Sequence, residues 1–335
     1  MRWLRLLLAT ALFGVFAGVS GVAAACACGG VISSDVSAHV ADETALLSTD
    51  GTTETIVMRL NLQSTVDNAA VVIPTPTPAT VTAGRQELFT ELETLTAPRV
   101  TTVTHWTLGA QPQSLAEGAP GGAFAGPRVV SQVQLGPVEA TTLTGGGVDE
   151  VRDWLQANGY ALRPEIAVGL APYLREGWSV VAMRLTGPTP LNGSLDPVAL
   201  TFASDRLVYP MRMSAQAATP QRALIYTLGQ HRMQRGDPDA ATQAVEVEYA
   251  GALAGRATDP TLTEMARNGD YLTRTSVQIS QPGMITSDFE FAPAGNDEPF
   301  QRVLYRHEYQ DMTPYLLMGG VLVAALLGVW MWRSR

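Results

Sequence analysis

The sequence predicts an α+β protein with a largely antiparallel sheet, two central helices and one C-terminal transmembrane helix. Strand-like segments outnumber helical ones and do not alternate regularly with them, which favours antiparallel pairing. Residues 314–332 form a run without a charged residue, and a helix needs about 20 such residues to cross a bilayer core. Arg333 and Arg335 follow. Basic residues beside a membrane span stay cytoplasmic, so we expect a single-pass plasma-membrane protein whose bulk is extracytoplasmic.

Residues 1–25 have the layout of a signal peptide. Arg2 and Arg5 precede an apolar run, and the small residues that end at Ala25 suit a cleavage site. An uncleaved helix and a lipid on Cys26 are alternatives. The predicted parts of the chain are a signal peptide (1–25), an extracytoplasmic α+β domain (26–300), a juxtamembrane stalk (301–313), a transmembrane helix (314–332) and a cytoplasmic basic tail (333–335).

Residues 44–63 predict a β-hairpin. Two β-rich runs flank Asp50-Gly51, a dipeptide that accepts the positive φ angles of tight hairpin turns. In the second run the apolar residues alternate, so one face should meet the core; these residues are Ile56, Met58, Leu60 and Leu62.

Periodicity and turn residues predict the other elements. In order, they are a buried strand at 69–73 ended by Pro74, Pro76 and Pro78, a helix at 85–95, a strand at 99–108, a surface loop at 109–126, a pair of strands at 128–135 and 138–143, the two central helices at 148–158 and 165–176, strands at 178–185, 195–202, 207–213, 222–230 and 244–250, a short helix at 260–268, and a strand at 271–280. The chain after residue 281 is rich in turn residues, and we interpret the polar segment 301–313 as the stalk.

Four aromatic residues lie around the two central helices: Trp154, Tyr160, Tyr173 and Trp178. If partly exposed, they would form a floor for peptide or glycan, because flat rings offer a large contact area at a small entropic cost. The more common interpretation is a core that joins helices to sheet. Met211 and Met213 are likewise interpreted as core residues.

Charge argues against nucleic acid as a partner. The chain has 22 basic and 31 acidic residues, a formal net charge of −9, and four of its arginines lie in the terminal segments. The part between those segments is therefore more acidic still. Such a surface repels phosphate backbones.

Candidate chemical groups are few, and no cofactor is predicted. Cys26 and Cys28, the two cysteines, could form a strained disulfide, since thiols outside the cell tend to be oxidised. Carboxylates and an imidazole that could bind a divalent cation occur at Asp35, His39, Asp42 and Glu43, although such a run is more often a solvated loop. The sequence contains no HExxH pair, nucleophile elbow, P-loop or dinucleotide fingerprint.

Six sequence blocks resemble a family of exported bacterial proteins known as domain of unknown function 2330. In order they are CGG (28–30), VVIPTP (71–76), LFTELETLTAPR (88–99), WLQANGY (154–160), GWSVVAMRL (177–185) and LVYPMRMS (207–214). The resemblance implies an envelope protein with a signal peptide and often a terminal membrane helix. It implies no catalytic residues.

These observations favour a binding or interaction module of the bacterial cell envelope rather than an enzyme. Its expected partners are the bilayer, through the C-terminal helix, and another envelope protein, a peptide or a glycan. The alternative is a membrane-tethered hydrolase or metal-dependent enzyme with an unrecognised site, which would lie near residues 35–43.

Overall fold

A computed structural model of the chain describes residues 29–35, 38–109, 132–133 and 139–334. Cys26, Cys28, the predicted signal peptide and almost all of the predicted surface loop lie outside these residues.

The described residues form nineteen strands and five α-helices. The strands are β1 (Gly30–Ile32), β2 (His39–Thr49), β3 (Thr53–Gln63), β4 (Asn68–Thr75), β5 (Thr80–Ala83), β6 (Arg99–Thr107), β7 (Gln132–Val133), β8 (Glu139–Leu143), β9 (Ser179–Thr186), β10 (Gly193–Leu195), β11 (Val198–Ala203), β12 (Leu207–Tyr209), β13 (Gln221–Gly229), β14 (Met233–Arg235), β15 (Ala244–Ala252), β16 (Tyr271–Ile279), β17 (Phe289–Pro293), β18 (Phe300–Gln301) and β19 (Val303–Asp311). The α-helices are α1 (Gln86–Leu95), α2 (Val148–Ala157), α3 (Pro164–Arg175), α4 (Pro260–Met265) and α5 (Thr313–Arg333).

The strands form four sheets. A ten-stranded sheet has the order β18-β15-β16-β13-β2-β3-β10-β7, with β11 also paired to β3 and β5 paired to β11. The others are a four-stranded sheet (β1-β4-β9-β8), a three-stranded sheet (β12-β17-β14) and a two-stranded ribbon (β19-β6). Most pairs are antiparallel; β13–β2, β10–β7 and β19–β6 are parallel. The predicted α+β class with mostly antiparallel sheet is thus confirmed.

The two larger sheets stack face to face and carry helices on their outer faces. Apolar residues from β2, β3, β4 and β9 share one core between the sheets. A second core lies between the four-stranded sheet and helices α2 and α3. A third joins the ten-stranded sheet to α1 and α4. Because α2 and α3 cover one outer face, their predicted central position is not confirmed.

The predicted hairpin is the pair β2–β3. Its turn is closed by Asp50, whose Oδ1 accepts hydrogen bonds from the backbone N–H groups of Thr52 at 2.9 Å and Thr53 at 2.7 Å. Gly51 has φ = 93°, which glycine adopts without strain. The four alternating residues of the second arm, Ile56, Met58, Leu60 and Leu62, all lie in the core between the two sheets, as predicted.

Pro74 does not end its strand. β4 continues to Thr75, and Pro74 lies opposite Val180 of β9. In the described residues β1 pairs with β4 only as far as Val72. Among the described strands Pro74 is paired only with β9, a position in which the missing N–H of proline is tolerated.

Other predicted strands require correction. β7 and β8 do not pair with each other, since β7 lies beside β10 and β8 beside β9. The strand predicted at 207–213 ends at Tyr209 and is followed by a 3-10 helix, Arg212–Gln216. The strand predicted at 195–202 is split between β10 and β11, and the short strands β14 and β17 were not predicted.

The segment before α5 forms regular secondary structure. Strand β19 pairs in parallel with β6 over nine positions, from Val303↔Arg99 to Asp311↔Thr107, to form the ribbon. At about 3.3 Å per residue the ribbon is roughly 30 Å long. Its base is held to the body because the Arg302 N–H donates to the carbonyl oxygen of Glu248 at 3.0 Å. Most of the segment predicted as a stalk is therefore β19, directly before α5.

Helix α5 is long and apolar enough to cross a membrane, as judged by its length and composition. Its 21 residues carry no buried side chain, although their mean hydropathy is 1.9 over the most apolar window. A span of this length suffices for a bilayer core.

Candidate binding cleft

An open cleft of about 540 Å³ lies where the β2–β3 turn meets the ends of β13, β14 and β17 and the loop before β12. It brings together segments that are far apart in the chain. Its lining residues are Thr49, Asp50, Gly51, Asp205, Arg206, Leu207, Leu228, Gly229, Gln230, His231, Met233, Gly236, Asn268, Glu290, Phe291, Ala292 and Pro293.

The floor of the cleft is apolar. Leu207, Leu228, Met233 and Phe291 line it, and each is no more than 8% exposed. All except Leu228 belong to the core between the two larger sheets. The floor is consequently continuous with the packed interior.

A charged group lies on one side of the rim. The Arg206 Nη1 contacts Glu290 Oε1 at 2.5 Å, and its Nε lies 3.9 Å from Asp205 Oδ1. About half of the Arg206 side chain is exposed, and the Asp205 side chain is 94% exposed. One guanidinium is thus shared by two carboxylates.

Asp50 adds a third carboxylate from the hairpin turn. Hydrogen bonds from the backbone of Thr52 and Thr53 and from the Thr52 hydroxyl lower the pKa of Asp50. The same bonds fix the turn, so the charge is held in place at the rim.

A histidine, His231, also lines the cleft. His231 Nδ1 is 2.8 Å from Asp297 Oδ2, and the Arg232 N–H donates to the other oxygen of the same carboxylate at 2.8 Å. These contacts lower the pKa of Asp297, chiefly through the bond to His231. The carboxylate thereby orients the imidazole at the rim.

Close backbone contact holds Asn268 beside the end of β13. A Cβ atom on Gly269 would lie 2.2 Å from the carbonyl carbon of Gly229 and 2.4 Å from the nitrogen of Gln230. Backbone atoms cannot yield to such a contact, so this position requires glycine. Asn268 and Gln230 thus both line the cleft.

The chemistry of the cleft suits an apolar, positively charged group better than an anion. Its lining includes three carboxylates and one guanidinium, an excess of negative charge above a buried apolar floor. Partly enclosed surfaces of one sign concentrate ligands of the opposite sign. Pockets of this kind bind through the apolar area and select through a few polar groups.

The structure does not bring the predicted metal-binding residues together into one group. Asp35 Oδ2 instead accepts hydrogen bonds from Thr65, from its N–H at 2.7 Å and its hydroxyl at 2.8 Å. Asp42 and Glu43 are consecutive in β2 and face opposite sides of the sheet, and Glu43 is only 2% exposed. Among the described residues, no three His, Cys, Asp or Glu side chains could hold an ion together. The metal hypothesis at Asp35, His39, Asp42 and Glu43 stays a prediction.

Most of the side chains that were predicted to form an aromatic floor are buried in a hydrophobic core. Tyr160, Tyr173 and Trp178 are at most 8% exposed and pack with α2 and α3, and Trp154 is partly buried against the same core. Arg212 lies over the Tyr173 ring, with its guanidinium carbon 4.2 Å from the ring centroid.

The Arg212 side chain also makes a polar contact network. Its guanidinium binds both oxygens of Glu176 at 2.5 and 2.7 Å and Asp288 at 2.9 Å. Burial and the Asp288 carboxylate raise the pKa of Tyr173. This network fixes the 3-10 helix against α3.

Met211 and Met213 are buried, as predicted for core residues.

Sequence reasoning missed the cleft. Asp205, Arg206, His231 and Glu290 stand in turns and short strands without a shared motif. The one sequence signal in that region is Asp50-Gly51. It predicted the turn but not the distant residues that lie beside the turn in the fold.

Fold and site together define a class: an α+β domain of mainly antiparallel sheet with an acidic, apolar-floored cleft, joined by a β-ribbon to one candidate membrane helix. Within that class, the chain belongs to the bacterial family called domain of unknown function 2330, described as an uncharacterised protein conserved in bacteria. The family model matches residues 22–292, which confirms the resemblance seen in the sequence.

Comparison with solved structures finds two forms of baculovirus P35. The crystal structure of baculovirus P35 has 6% identity and a TM-score of 0.36, with 80% of this chain and 98% of that chain covered. A mutated baculovirus P35 after caspase cleavage has 8% identity and the same TM-score of 0.36, with 78% and 99% covered. Scores this low carry no argument about fold or function. The search of curated proteins found no match.

Proposed function

We propose that this chain is an extracytoplasmic binding module, tethered to the cell membrane by α5, whose cleft binds a peptide segment that presents a positively charged side chain beside an apolar one. The observation that carries the proposal is the excess of carboxylates at the rim of a cleft with a buried apolar floor. The predicted signal peptide, the apolar helix and its basic end support the location.

The rim favours a cation over an anion. Asp205 and Glu290 already share Arg206, and Asp50 is held at the rim by the hairpin turn. A lysine or arginine of the ligand would add an ion pair next to the floor. Exposed pairs of this kind contribute up to about 1 kcal/mol each, and they set specificity more than affinity.

The floor favours a peptide over a glycan. Flat exposed rings are the usual surface on which sugars stack, but the aromatic floor residue, Phe291, is only 6% exposed. Aliphatic and aromatic side chains of a peptide would instead gain about 25 cal/mol for each Å² of apolar surface that they bury.

The test uses short labelled peptides that pair Arg or Lys with Leu, and the same peptides with Glu in place of the basic residue. Binding to the full chain in detergent micelles is measured by fluorescence anisotropy, with empty micelles as the blank. We expect the basic peptides to bind and the acidic ones not to bind. Asp205→Asn should weaken binding by about twofold to fivefold, because it removes one exposed charge.

Two further variants complete the test. Ala292 is exposed and lines the cleft, so Ala292→Trp should fill the cleft and abolish binding. Asp153→Asn removes an exposed charge from α2, away from the cleft, and should leave affinity unchanged. Equal affinity for basic and acidic peptides, or equal losses in Asp205→Asn and Asp153→Asn, would contradict the proposal.

A further inference from the structure

Two histidines that are far apart in the sequence meet on one face of the ribbon. The parallel register places His307 opposite Val103 and Tyr309 opposite His105. Opposed residues of adjacent strands share a face. The His105 Nε2 and the His307 Nδ1 are 2.8 Å apart.

A third ring holds the pair in place. The ring of Tyr309 stacks on His105, with centroids 5.1 Å apart and planes at 24°. The two imidazole centroids are 5.0 Å apart. His105 is partly buried between its neighbours, whereas His307 is exposed. The two imidazoles are therefore held close together at the surface of the ribbon.

The two nitrogens are nearly as close as cis ligands of one metal ion. With metal–nitrogen bonds of about 2.05 Å, two ligands at a tetrahedral angle lie about 3.3 Å apart, and two cis ligands at a right angle lie about 2.9 Å apart. The observed 2.8 Å is the length of an N–H···N hydrogen bond, so the rings must rotate before both nitrogens face one ion, and the cis arrangement requires the smaller increase in their separation. Tetragonal sites with imidazole ligands are typical of Cu(II) and Ni(II), and Cu(II) binds such ligands more tightly than its neighbours in the first transition series.

We propose that His105 and His307 form a cis bis-imidazole site for Cu(II) on the ribbon, with water in the other positions. The two nitrogens share one proton in the hydrogen bond between the rings. When copper binds, that proton moves to the far nitrogen of the ring that carried it, so each ring stays neutral and presents a lone pair. No net proton is released in this step.

The neighbouring side chains of β19 leave room for a copper ion beside the two histidines. Strand alternation places the side chains of Arg306 and Glu308 on the opposite face of β19, so neither charge adjoins the site. Tyr305 lies on the same face as His307 and is 64% exposed. The site is independent of the cleft, because none of its residues lines that cleft.

The experiment is a Cu(II) titration of the full chain in micelles, purified through a histidine-free tag in a Cys26→Ser, Cys28→Ser background that removes competing thiols. Copper chloride is the probe, and binding is followed by calorimetry and by electron paramagnetic resonance. We expect one copper per chain, with an axial signal and hyperfine coupling to two nitrogens. His105→Ala and His307→Ala should each weaken binding at least about tenfold, since loss of even a supporting group costs that much.

A matched control keeps the result specific. His231→Ala removes an exposed histidine that pairs with a carboxylate, and it should bind copper as the parent does. The absence of a two-nitrogen signal overturns the proposal, and so does a signal that survives both ribbon substitutions or is lost equally in His231→Ala.

Discussion

At the residue scale, the buried Glu54 is the most unusual titratable group near the cleft. It has no exposed surface, and both of its carboxylate oxygens accept from the Val208 N–H, at 3.1 and 3.2 Å. Burial raises the pKa of Glu54 well above its ordinary value, and the hydrogen bond from Val208 offsets only part of that effect. The residue links β3 to β12.

A raised pKa predicts the pH dependence of stability. The folded state holds the Glu54 proton more tightly than the unfolded state does. The contribution of this protonated side chain to the free energy of unfolding is therefore fully present below the unfolded pKa and is lost as the pH rises through the folded pKa. We therefore expect the stability of the parent relative to Glu54→Gln to rise as the pH falls from 8 to 5. Thermal unfolding of both proteins across that range measures the difference.

The control for that measurement is Glu298→Gln, which alters an exposed side chain. Its difference from the parent should change much less over the same range. A difference between parent and Glu54→Gln that is constant with pH, or that grows in the parent's favour on alkalinisation, would contradict the assignment.

At the element scale, a buried ion pair joins the short strands β14 and β17. Arg235 at the end of β14 contacts Asp237 through two nitrogens, at 2.5 and 2.9 Å, and both side chains are 1% exposed. Its guanidinium carbon lies 3.6 Å from the ring centroid of Phe289 in β17. Asp237 also accepts from the Glu290 N–H at 3.2 Å. The pair thus joins the two strands that form one wall of the cleft.

Removal of one partner should be costly. Arg235→Met leaves the Asp237 carboxylate buried without its cation, which typically destabilises a protein by about 3–5 kcal/mol. Chemical denaturation of the parent and the variant gives the change in the free energy of unfolding. Arg267→Met is the matched control: that side chain is 69% exposed in its pair with Glu264, and its loss should cost less than about 1 kcal/mol. Similar losses in the two variants would contradict this role.

At the scale of the whole molecule, one rigid ribbon connects the folded body to an apolar helix. The Trp106 and Tyr315 rings meet edge to face, with centroids 6.0 Å apart, at the junction of ribbon and helix. Both side chains are more than half exposed. Tryptophan and tyrosine at such a position are typical of the membrane–water interface.

The predicted topology can be tested with a pair of single cysteines in the Cys26→Ser, Cys28→Ser background. A membrane-impermeant maleimide should label Glu298→Cys in intact cells or in cells stripped of outer layers, because the folded domain is expected on the outer side of the plasma membrane. It should label Ser334→Cys only after the membrane is permeabilised, because basic residues after a span stay cytoplasmic. The reverse pattern would contradict the orientation, and deletion of residues 313–335 should release the protein from membranes.

Local signals in the sequence determined several elements of this protein. Asp50-Gly51 demands a tight turn, and the alternation from Ile56 to Leu62 assigns the buried face of β3, because both depend only on neighbouring residues. The apolar spacing of α1, α2 and α3 and the uncharged run of α5 are equally local, and their boundaries differ from prediction by at most one residue at either end.

Only the tertiary structure decided the two candidate sites. Arg206 meets Glu290 across 84 positions, and His105 meets His307 across 202. Neither contact follows from local spacing, because each depends on which strands pair and in what register. Strands such as β14, with three residues, are too short to show a period and form because β17 offers an edge. The cleft exists because stacked sheets bring distant turns together, and the histidine pair exists because β6 and β19 pair in one register.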